Sequence, residues 1–439
     1  MNLLFSLVLF TSLGYNVLAA PFQHRSTAAG HKKRSFRVER IKHNDYVRNS
    51  PGALSKAYNK FGITAYPMEG GDQHDFEPFF TASSKSTLVI SDCASPASPS
   101  TTADTAEEGT VSATSVKGGS EYVSPVLIGG QNITMDFDTG SADMWVMNTE
   151  LPSSMTEGHT LYNASESSTY KNVTGEFKIA YGDLSYASGS LAKDTVSIGG
   201  AEVKNQVFGL PTKVSSSFIS DTYSNGMVGL SFSSINSFDP GPQKTFFDNI
   251  APDLELPVFT SLLRSEGGLY EFGTIDHSLY TGKMRNISVD SSNGFWQFNT
   301  TGYGVNSNGS TTVGSNSTAI CDTGTTLMLV TPDIVSLFYS AVNGSGYLNS
   351  VGGYVYPCDT DLPDLTIGIG HDMNATIPGS ALGYEQVGTN TTTGKTICYG
   401  GVQSSAGSDF QIFGDIFLKA FYVVFDQRGP SLGIAYPSS

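Results

Sequence analysis

Short runs of alternating apolar and polar residues dominate the chain from residue 122 onward. Residues 122–128 and 133–137 are two such runs, and Gly-Gly, Asn-Gly or Ser clusters interrupt the pattern about every ten residues. A period of two places one side of each run in a core, which is typical of β-strands in a sandwich or barrel. Helical patterns are few. The clearest covers residues 332–342, with proline at its start and Asn343-Gly344 after it. The pattern therefore predicts an all-β fold.

A short internal repeat divides this β-rich part into two halves. Residues 135–146 have the sequence MDFDTGSADMWV, and residues 319–330 have the sequence AICDTGTTLMLV. In each copy an apolar run leads into Asp-Thr-Gly-Ser/Thr, and a second apolar run follows. Each half also contains a later apolar-apolar-Gly element, at residues 227–230 and 412–415. Two copies of one unit predict two similar lobes that face each other.

The first 120 residues have a different character. Residues 1–19 contain an apolar run followed by small residues, which is typical of a secretory signal, and no other stretch has the roughly 18 apolar residues of a membrane span. Residues 35–62 are basic and are predicted to end in a helix at 53–61. Residues 70–109 are rich in Ser, Thr, Pro, Asp and Glu, and a segment of this kind is predicted to be a linker or processing region.

Charge is unevenly distributed along the 439 residues, whose formal net charge is -16. Between residues 20 and 60 the basic side chains exceed the acidic ones by about 8, so the rest of the chain carries about -24. Such an acidic body argues against nucleic acid as a partner, because phosphate binding requires a positive surface. The basic block either binds the acidic body by charge or is a basic tail without that role. Residues 31–34, His-Lys-Lys-Arg, are either a processing site or a solvated charge run.

Sequons and cysteines are consistent with a secretory route. None of the four cysteines, Cys93, Cys321, Cys358 and Cys398, has metal-ligand spacing, and four cysteines allow three pairings. Asparagine begins an Asn-x-Ser/Thr sequon at ten positions: Asn132, Asn163, Asn172, Asn286, Asn299, Asn308, Asn316, Asn343, Asn374 and Asn390.

The duplicated Asp-Thr-Gly carries the candidate chemistry. One copy is an ordinary turn sequence, but two copies, each flanked by apolar strands, predict that Asp138 and Asp322 meet between the lobes. Two buried carboxyl groups in contact cannot both ionise, so the pair shares a proton. The ionised carboxylate can then withdraw a proton from water while the protonated one donates to a substrate oxygen.

The residues that follow each aspartate have the chemistry to support it. Glycine at both loops allows a close backbone approach or a turn, and the hydroxyl groups can bond the carboxylates or lock the loops. These supporting residues are Thr139, Gly140, Ser141, Thr323, Gly324 and Thr325.

Together these motifs resemble those of the pepsin-like aspartic endopeptidases, of the secreted fungal type. The resemblance covers residues 121–437, and the basic segment 35–62 resembles the prosegment of such zymogens. It implies an all-β, bilobal fold in which two pseudo-symmetric, β-barrel-like lobes enclose an active-site cleft. It also implies that Asp138 and Asp322 are the catalytic aspartates, and it divides the chain into a signal peptide (1–19), a prosegment and linker (20–110), an N-terminal catalytic lobe (111–283) and a C-terminal catalytic lobe (284–439).

The resemblance also assigns a substrate-binding hairpin, the flap. Tyr181-Gly182-Asp183 matches it, Ser185 follows in the same hairpin, and Trp145 matches the tryptophan that braces it. The alternative is that Tyr181 is a strand aromatic and Trp145 is core packing. Asp183 is predicted to accept Lys on the amino side of the scissile bond.

Two positions depart from the family pattern, and one disulfide fits it. Leu184 replaces a flap glycine, which is expected to change the turn and its mobility. Cys321 replaces a small or branched apolar residue, and a buried inert thiol is the favoured interpretation over a redox role. Cys358 and Cys398 match the C-lobe disulfide of the family, which would contribute about 4 kcal/mol by loop-closure entropy. Cys93 would leave with the prosegment.

These features predict a secreted zymogen that cleaves proteins at acidic pH, preferably next to large apolar residues. The basic prosegment would lie across the acidic cleft as an intramolecular inhibitor, with Lys56 or Lys60 near the aspartates. We expect pepstatin-type inhibition, no metal or organic cofactor, no membrane or nucleic-acid partner, and a monomer. The alternatives are a catalytically silent pepsin fold that acts as a binding protein, and a glycosidase with two carboxylates.

Overall fold

The computed structural model describes residues 35–41, 50–61, 76–78, 109–111, 114–116, 121–181, 185–265, 267–305, 311–313, 317–370, 373–405 and 408–438. Strands dominate these residues, as the alternating pattern predicts. None of the helices among them is long and apolar enough to span a membrane. The predicted signal sequence and the segment 31–34 lie outside the described residues.

The strands are numbered in chain order. In the first part of the chain they are β1 (Phe36–Ile41), β2 (Phe76–Pro78), β3 (Gly109–Val111), β4 (Thr114–Val116), β5 (Glu121–Ile128), β6 (Gln131–Asp138), β7 (Met144–Val146), β8 (Lys171–Ala180), β9 (Tyr186–Ile198) and β10 (Ala201–Val214). The middle part contains β11 (Gly226–Gly229), β12 (Phe238–Asp239), β13 (Val258–Arg264), β14 (Gly267–Phe272), β15 (Tyr280–Ser288), β16 (Gln297–Val305), β17 (Thr311–Val313), β18 (Ser317–Cys321) and β19 (Met328–Val330). The last part contains β20 (Gly346–Leu348), β21 (Gly353–Pro357), β22 (Leu365–Ile369), β23 (Met373–Ile377), β24 (Gly383–Asn390), β25 (Thr396–Gly400), β26 (Val402–Ser404), β27 (Gln411–Phe413), β28 (Tyr422–Asp426) and β29 (Ser431–Pro437).

Helices are short and lie between the strands. The α-helices are α1 (Ser50–Lys60), α2 (Ser216–Ser220), α3 (Phe246–Ile250), α4 (Pro332–Ser340) and α5 (Asp415–Leu418). Single 3-10 turns occur at Ser153–Met155, Ala164–Glu166, Ser233–Ile235, Ala251–Asp253 and Gly379–Ala381.

Four sheets organise the strands. A nine-stranded sheet of the N-terminal half has the order β12-β8-β9-β10-β7-β11-β6-β5-β4. The C-terminal half has an eight-stranded sheet, β23-β22-β16-β18-β27-β19-β26 with β17 paired to β16, and a five-stranded sheet, β2-β24-β25-β21-β20. A seven-stranded sheet, β15-β29-β28-β13-β14-β1-β3, combines strands from both halves and from the N-terminal region. The architecture is the predicted all-β, bilobal one.

The internal repeat of the sequence is a structural repeat. In the first half β11 pairs in parallel with β6 and antiparallel with β7, and in the second half β27 pairs in parallel with β18 and antiparallel with β19. The end of β6 is fully buried, as is the end of β18, and each strand lies inside its sheet with a neighbour on both sides. Each half thereby fixes the end of one central strand, and an Asp-Thr-Gly loop begins at that end.

The basic N-terminal segment is built into both lobes. Strand β1 pairs antiparallel with β14 and parallel with β3, and Phe36 stacks on Phe272 with ring centroids 4.6 Å apart. Helix α1 buries Leu54 and Ala57 in a cluster with C-lobe residues such as Tyr399 and Ile397. The segment therefore forms part of the folded core and does not behave as a free tail.

Three details differ from the sequence-based expectations. The basic segment contains strand β1 as well as the predicted helix, and α1 begins at Ser50, three residues before the predicted start. The predicted linker contributes β2, whose Phe76 pairs with Asn390 of β24. Helix α4 ends at Ser340, because the next two N–H groups bond carbonyls only three residues back and Gly344 then adopts a φ of 76°.

Candidate active site

The two Asp-Thr-Gly loops meet at the side chain of one lysine. Asp138 and Asp322 are both fully buried, and the Nζ atom of Lys60 lies 2.6 Å from Asp138 Oδ1 and 2.8 and 2.9 Å from the two oxygens of Asp322. The Lys60 side chain is 5% exposed. One ammonium group thus bridges both carboxylates in a site that excludes solvent.

Each carboxylate is held by its own loop in the same way. Asp138 accepts from the Gly140 N–H at 2.8 Å and from the Ser141 hydroxyl at 2.6 Å. Asp322 accepts from the Gly324 N–H at 3.0 Å and from the hydroxyl of Thr325. These charge-assisted bonds satisfy the buried oxygens, which would otherwise be costly to desolvate.

The two loops are joined by four crossed hydrogen bonds. The Thr139 hydroxyl accepts from the Thr323 N–H at 2.9 Å and donates to the carbonyl of Cys321, also at 2.9 Å. The Thr323 hydroxyl accepts from the Thr139 N–H at 3.0 Å and donates to the carbonyl of Phe137 at 2.6 Å. Because every bond crosses between lobes, the network fixes the two aspartates relative to each other.

Both loops need a glycine, because neither has space for a Cβ atom. A Cβ atom on Gly140 would lie 2.4 Å from Asp322 Oδ1, and a Cβ atom on Gly324 would lie 2.4 Å from Asp138 Oδ1. Both atoms would also lie 2.7 Å from Lys60 Nζ. The backbone of each loop therefore packs directly against the carboxylate of the other.

The two carboxyl groups differ in acidity. Burial acts to raise the pKa of Asp138, but the charge of Lys60 and the hydrogen bonds to the carboxylate outweigh it, and the pKa is lowered. For Asp322, burial and the negative charge of Asp138 outweigh Lys60 and raise the pKa to about 6. Burial opposes the charge of Lys60, yet the two carboxylates raise the pKa of its ammonium group above the ordinary value. The geometry therefore supports one ionised and one protonatable carboxyl group.

An aromatic cluster stands next to the first loop. The Trp145 Nε1 atom donates to the Tyr181 hydroxyl at 2.8 Å, and the ring of Phe218 packs edge-on against both residues. The N–H of Tyr181 bonds the carbonyl of Ser185 at 2.8 Å, which closes the base of the β8–β9 hairpin. Gly182, Asp183 and Leu184, at the predicted tip of the flap, lie outside the described residues.

Comparison with known proteins places the chain in a family. The eukaryotic aspartyl protease family matches residues 121–436. A protein named as an aspergillopepsin A-like aspartic endopeptidase, from Aspergillus fumigatus, is 50% identical over 441 residues that span all of both chains. An aspartic protease of Coccidioides posadasii is 41% identical over 97% of this chain and 95% of its own length. Penicillopepsin-1 of Penicillium rubens is 46% identical over 72% of this chain and 78% of its own length.

The chain is a eukaryotic aspartyl protease. It belongs to the aspergillopepsin type of aspartic endopeptidase, and the family implies peptide substrates and pepstatin-type inhibition. The predicted bilobal fold is therefore confirmed both by the sheets and by the family.

The cysteines of this aspartyl protease have separate roles. Cys358 and Cys398 form the predicted disulfide, which links the turn after β21 to β25. Cys321 is a free, fully buried cysteine, and burial followed by the charge of Asp322 raises the pKa of its thiol well above the ordinary value. A thiol in this state is protonated and weakly reactive. Cys93 lies outside the described residues.

Several residues at the site have no signal in the local sequence. Phe295 and Phe410 enclose the ring of Phe61, which directly follows Lys60. Asp143 accepts from the Asn236 amide and the Ser237 N–H, both at 2.8 Å, and burial raises its pKa to about 6. Each of these contacts depends on segments remote in the chain, so no local motif could have identified them. Among the described residues no group of three or more His, Cys, Asp or Glu side chains could hold a metal ion.

Proposed function

We propose that this aspartic endopeptidase is made as a secreted zymogen and hydrolyses peptide bonds at acidic pH by a water molecule activated between Asp138 and Asp322. The observation that carries the proposal is the position of Lys60. Its ammonium group bonds both carboxylates, in the place where a nucleophilic water would have to bind. This position supports both parts of the proposal, a dyad formed by the two carboxylates and an internal group that blocks it before activation.

The dyad would act by general acid–base catalysis once Lys60 has left. The ionised carboxylate withdraws a proton from water, whose oxygen attacks the scissile carbonyl carbon, while the protonated carboxyl group donates its proton to the carbonyl oxygen. The carboxyl group that took the proton from water then gives it to the amide nitrogen, and a hydroxyl of the tetrahedral diol returns its proton to the other carboxylate as the C–N bond breaks. The products are a carboxylic acid and an amine, and the dyad again holds one proton. The hydrogen bonds from Gly140, Ser141, Gly324 and Thr325 hold the carboxylates for this exchange.

Acidification would open the zymogen. The charge of Lys60 lowers the pKa of both aspartates, so both bind protons more weakly in the blocked state than in the open state. Linkage then requires that lower pH favours the open state, which takes up more protons. The contribution of Lys60 to the blocked state is present while the aspartates are ionised and is lost as they protonate.

A second charged contact ties the basic segment to the acidic body. Arg37 of β1 donates to Glu271 at 2.7 Å and to Asp276 at 2.6 Å, and Glu271 is buried. Burial outweighs Arg37 and raises the pKa of Glu271. Removing Arg37 would raise the pKa of Glu271 further, so Glu271 binds a proton more weakly when Arg37 is in place. Acid therefore also weakens this contact. Both contacts support the inhibitory role proposed for the prosegment.

The prosegment also indicates the substrate preference. Phe61 lies between Phe295 and Phe410, with ring centroids 5.9 and 5.6 Å away. Because Phe61 follows the residue that occupies the dyad, this aromatic site would accept a large apolar residue of the substrate near the scissile bond. Acceptance of Lys through Asp183 is a further part of the proposal. Asp183→Ala should abolish cleavage after Lys relative to Phe, and an unchanged Lys/Phe ratio would contradict it.

Secretion and a monomeric state complete the proposal. Secretion is supported by the signal-like residues 1–19, and glycosylation by exposed sequons. The asparagine is exposed at Asn132, Asn172, Asn286, Asn299, Asn343 and Asn374. Recovery of the protein in the medium, with a mass that falls after glycosidase treatment, would support both. An intracellular, unglycosylated product would contradict them, and sedimentation tests the monomer.

Acid conversion of the purified full-length chain tests the zymogen proposal. We expect wild type to remain uncleaved at neutral pH and to convert on acidification, and Lys60→Met to convert at higher pH because the ammonium group is missing. Lys395→Met, which removes an exposed ammonium group paired with Asp359, is the matched control and should convert as wild type does. Equal conversion of wild type at neutral and acidic pH, or equal behaviour of the two variants, would contradict the role of Lys60.

A further inference from the structure

The ring of His159 connects two segments of the N-terminal half. Its Nδ1 atom lies 3.2 Å from Asn225 Oδ1, and its Nε2 atom lies 3.2 Å from the carbonyl oxygen of Ile219. Ile219 belongs to α2, and Asn225 directly precedes β11. His159 itself lies on the loop between two 3-10 turns, so its side chain joins three separate parts of the fold.

Both atoms that face the ring are acceptors. The carbonyl of Ile219 cannot donate. The amide of Asn225 is oriented by its other partners, because its Nδ2 atom donates to the Thr134 carbonyl at 3.1 Å and its Oδ1 atom accepts the Thr160 N–H at 2.8 Å. In a flipped amide, Nδ2 would face the N–H of Thr160 and Oδ1 would face the carbonyl of Thr134, so neither hydrogen bond could form. Each ring nitrogen of His159 therefore faces an acceptor, so an N–H of the ring can bond either segment.

The segment held by His159 positions an aromatic ring at the flap. Helix α2 has five residues, and its Phe218 packs against Trp145 at 4.9 Å and Tyr181 at 5.5 Å between ring centroids. At the other end of α2 the Ser215 N–H bonds the carbonyl of Tyr186, in the second strand of the flap hairpin, at 2.9 Å. One end of the helix is thus attached to the flap and the other to His159.

We propose that His159 is a positioning residue, which holds α2 so that Phe218 supports the flap tyrosine. The proposal rests on the proposed function. Without the ring, α2 loses this link to the loop of residues 156–163 and to the segment before β11.

Kinetics of peptide hydrolysis test the proposal through the split between KM and kcat. For a peptide with Phe on the amino side of the scissile bond, His159→Gln should raise KM about 3- to 10-fold at acidic pH and change kcat less than about twofold, as loss of one or two hydrogen bonds implies. His277→Gln is the control, since His277 is exposed and its ring bonds the hydroxyl of Tyr280, three residues later in the chain. A change in kcat alone, or the same change in both variants, would overturn the proposal.

Nuclear magnetic resonance of the full-length chain decides the matter without activity. With the His159→Gln spectrum as the assignment, we expect an exchange-protected ring N–H signal from His159. Absence of any protected ring N–H signal would overturn the hydrogen-bond assignment. If the signal is present but the chain hydrolyses no peptide, the proposed function fails and the hydrogen-bond assignment stands.

Discussion

The two Asp-Thr-Gly loops have the same construction and different surroundings. Each follows a buried central strand, and in each a glycine N–H and a hydroxyl group bond the aspartate. The threonine of each loop also forms hydrogen bonds with the other loop. Yet the pKa of Asp138 is lowered and that of Asp322 is raised to about 6. Duplication therefore explains why the carboxylates meet. The difference in their acidity comes from the groups around them. The proposed chemistry needs both the contact between the carboxylates and the difference in their acidity.

The shared part of the construction is most sensitive at the glycines. Gly140→Ala and Gly324→Ala should each lower kcat/KM by about 10²-fold or more, because a Cβ atom would displace the carboxylate of the other loop. Peptide hydrolysis at acidic pH measures the loss. Gly346→Ala, where a Cβ would meet no atom within 4 Å, is the control. A loss confined to one of the two loops would show that the symmetry does not extend to function.

The crossed threonines should contribute equally to stability. Thr139→Val and Thr323→Val each leave one N–H and one carbonyl group of the opposite loop without a partner, so each should lower the free energy of unfolding by about 1–3 kcal/mol. Urea denaturation of the full-length chain at neutral pH provides the measurement. Thr212→Val, at an exposed position, should have little effect. A difference of more than about 2 kcal/mol between the two buried variants would contradict equal roles.

The hydroxyls beside the aspartates should reveal the asymmetry. The bond from Ser141 lowers the pKa of Asp138, so Ser141→Ala should raise it and move the acidic limb of the kcat/KM profile to higher pH. The rate at the acidic end should fall about tenfold, as expected for a hydrogen bond to a charged group. Thr325→Val removes the corresponding bond to Asp322. If Thr325→Val moves the acidic limb and Ser141→Ala does not, the assignment of acidity is reversed.

The residue before each aspartate should matter least. Cys321 is buried beside Asp322, where the first loop has Phe137 beside Asp138. Cys321→Ala should cost about 1 kcal/mol of stability and leave kcat/KM within about twofold, since the thiol is protonated and has only a packing role. A thiol reagent should not modify the folded chain. Rapid modification, or a large loss of activity, would show that the thiol is functional.

Local sequence was sufficient for the dyad and insufficient for its surroundings. The aspartates, threonines and glycines form continuous motifs on strands of clear alternation, so their meeting could be predicted. Lys56 and Lys60 could not be separated, because they lie one helical turn apart. The contacts that set the helix against the C-lobe, among them the burial of Leu54 and Ala57, involve segments distant in the sequence.

Most other contacts depend on segments that are distant in the sequence. Phe218 and the pair His159–Asn225 are joined across the fold by segments with no shared motif. Strand β1 is different, since FRVERI alternates apolar and charged residues at its start. That alternation could have predicted a strand within the basic segment.

Hydrolysis of denatured globin from acidic to neutral pH, with and without pepstatin, tests the dyad most directly. Wild type should cleave best at acidic pH and lose activity with the inhibitor. Asp138→Asn and Asp322→Asn should each lose at least about 10³-fold, because either substitution removes a partner of the shared proton. Persistent cleavage by either variant would contradict the account. Failure of a processed, folded wild-type chain to cleave would instead indicate a silent member of the family, with Leu184 as the first position to restore to glycine.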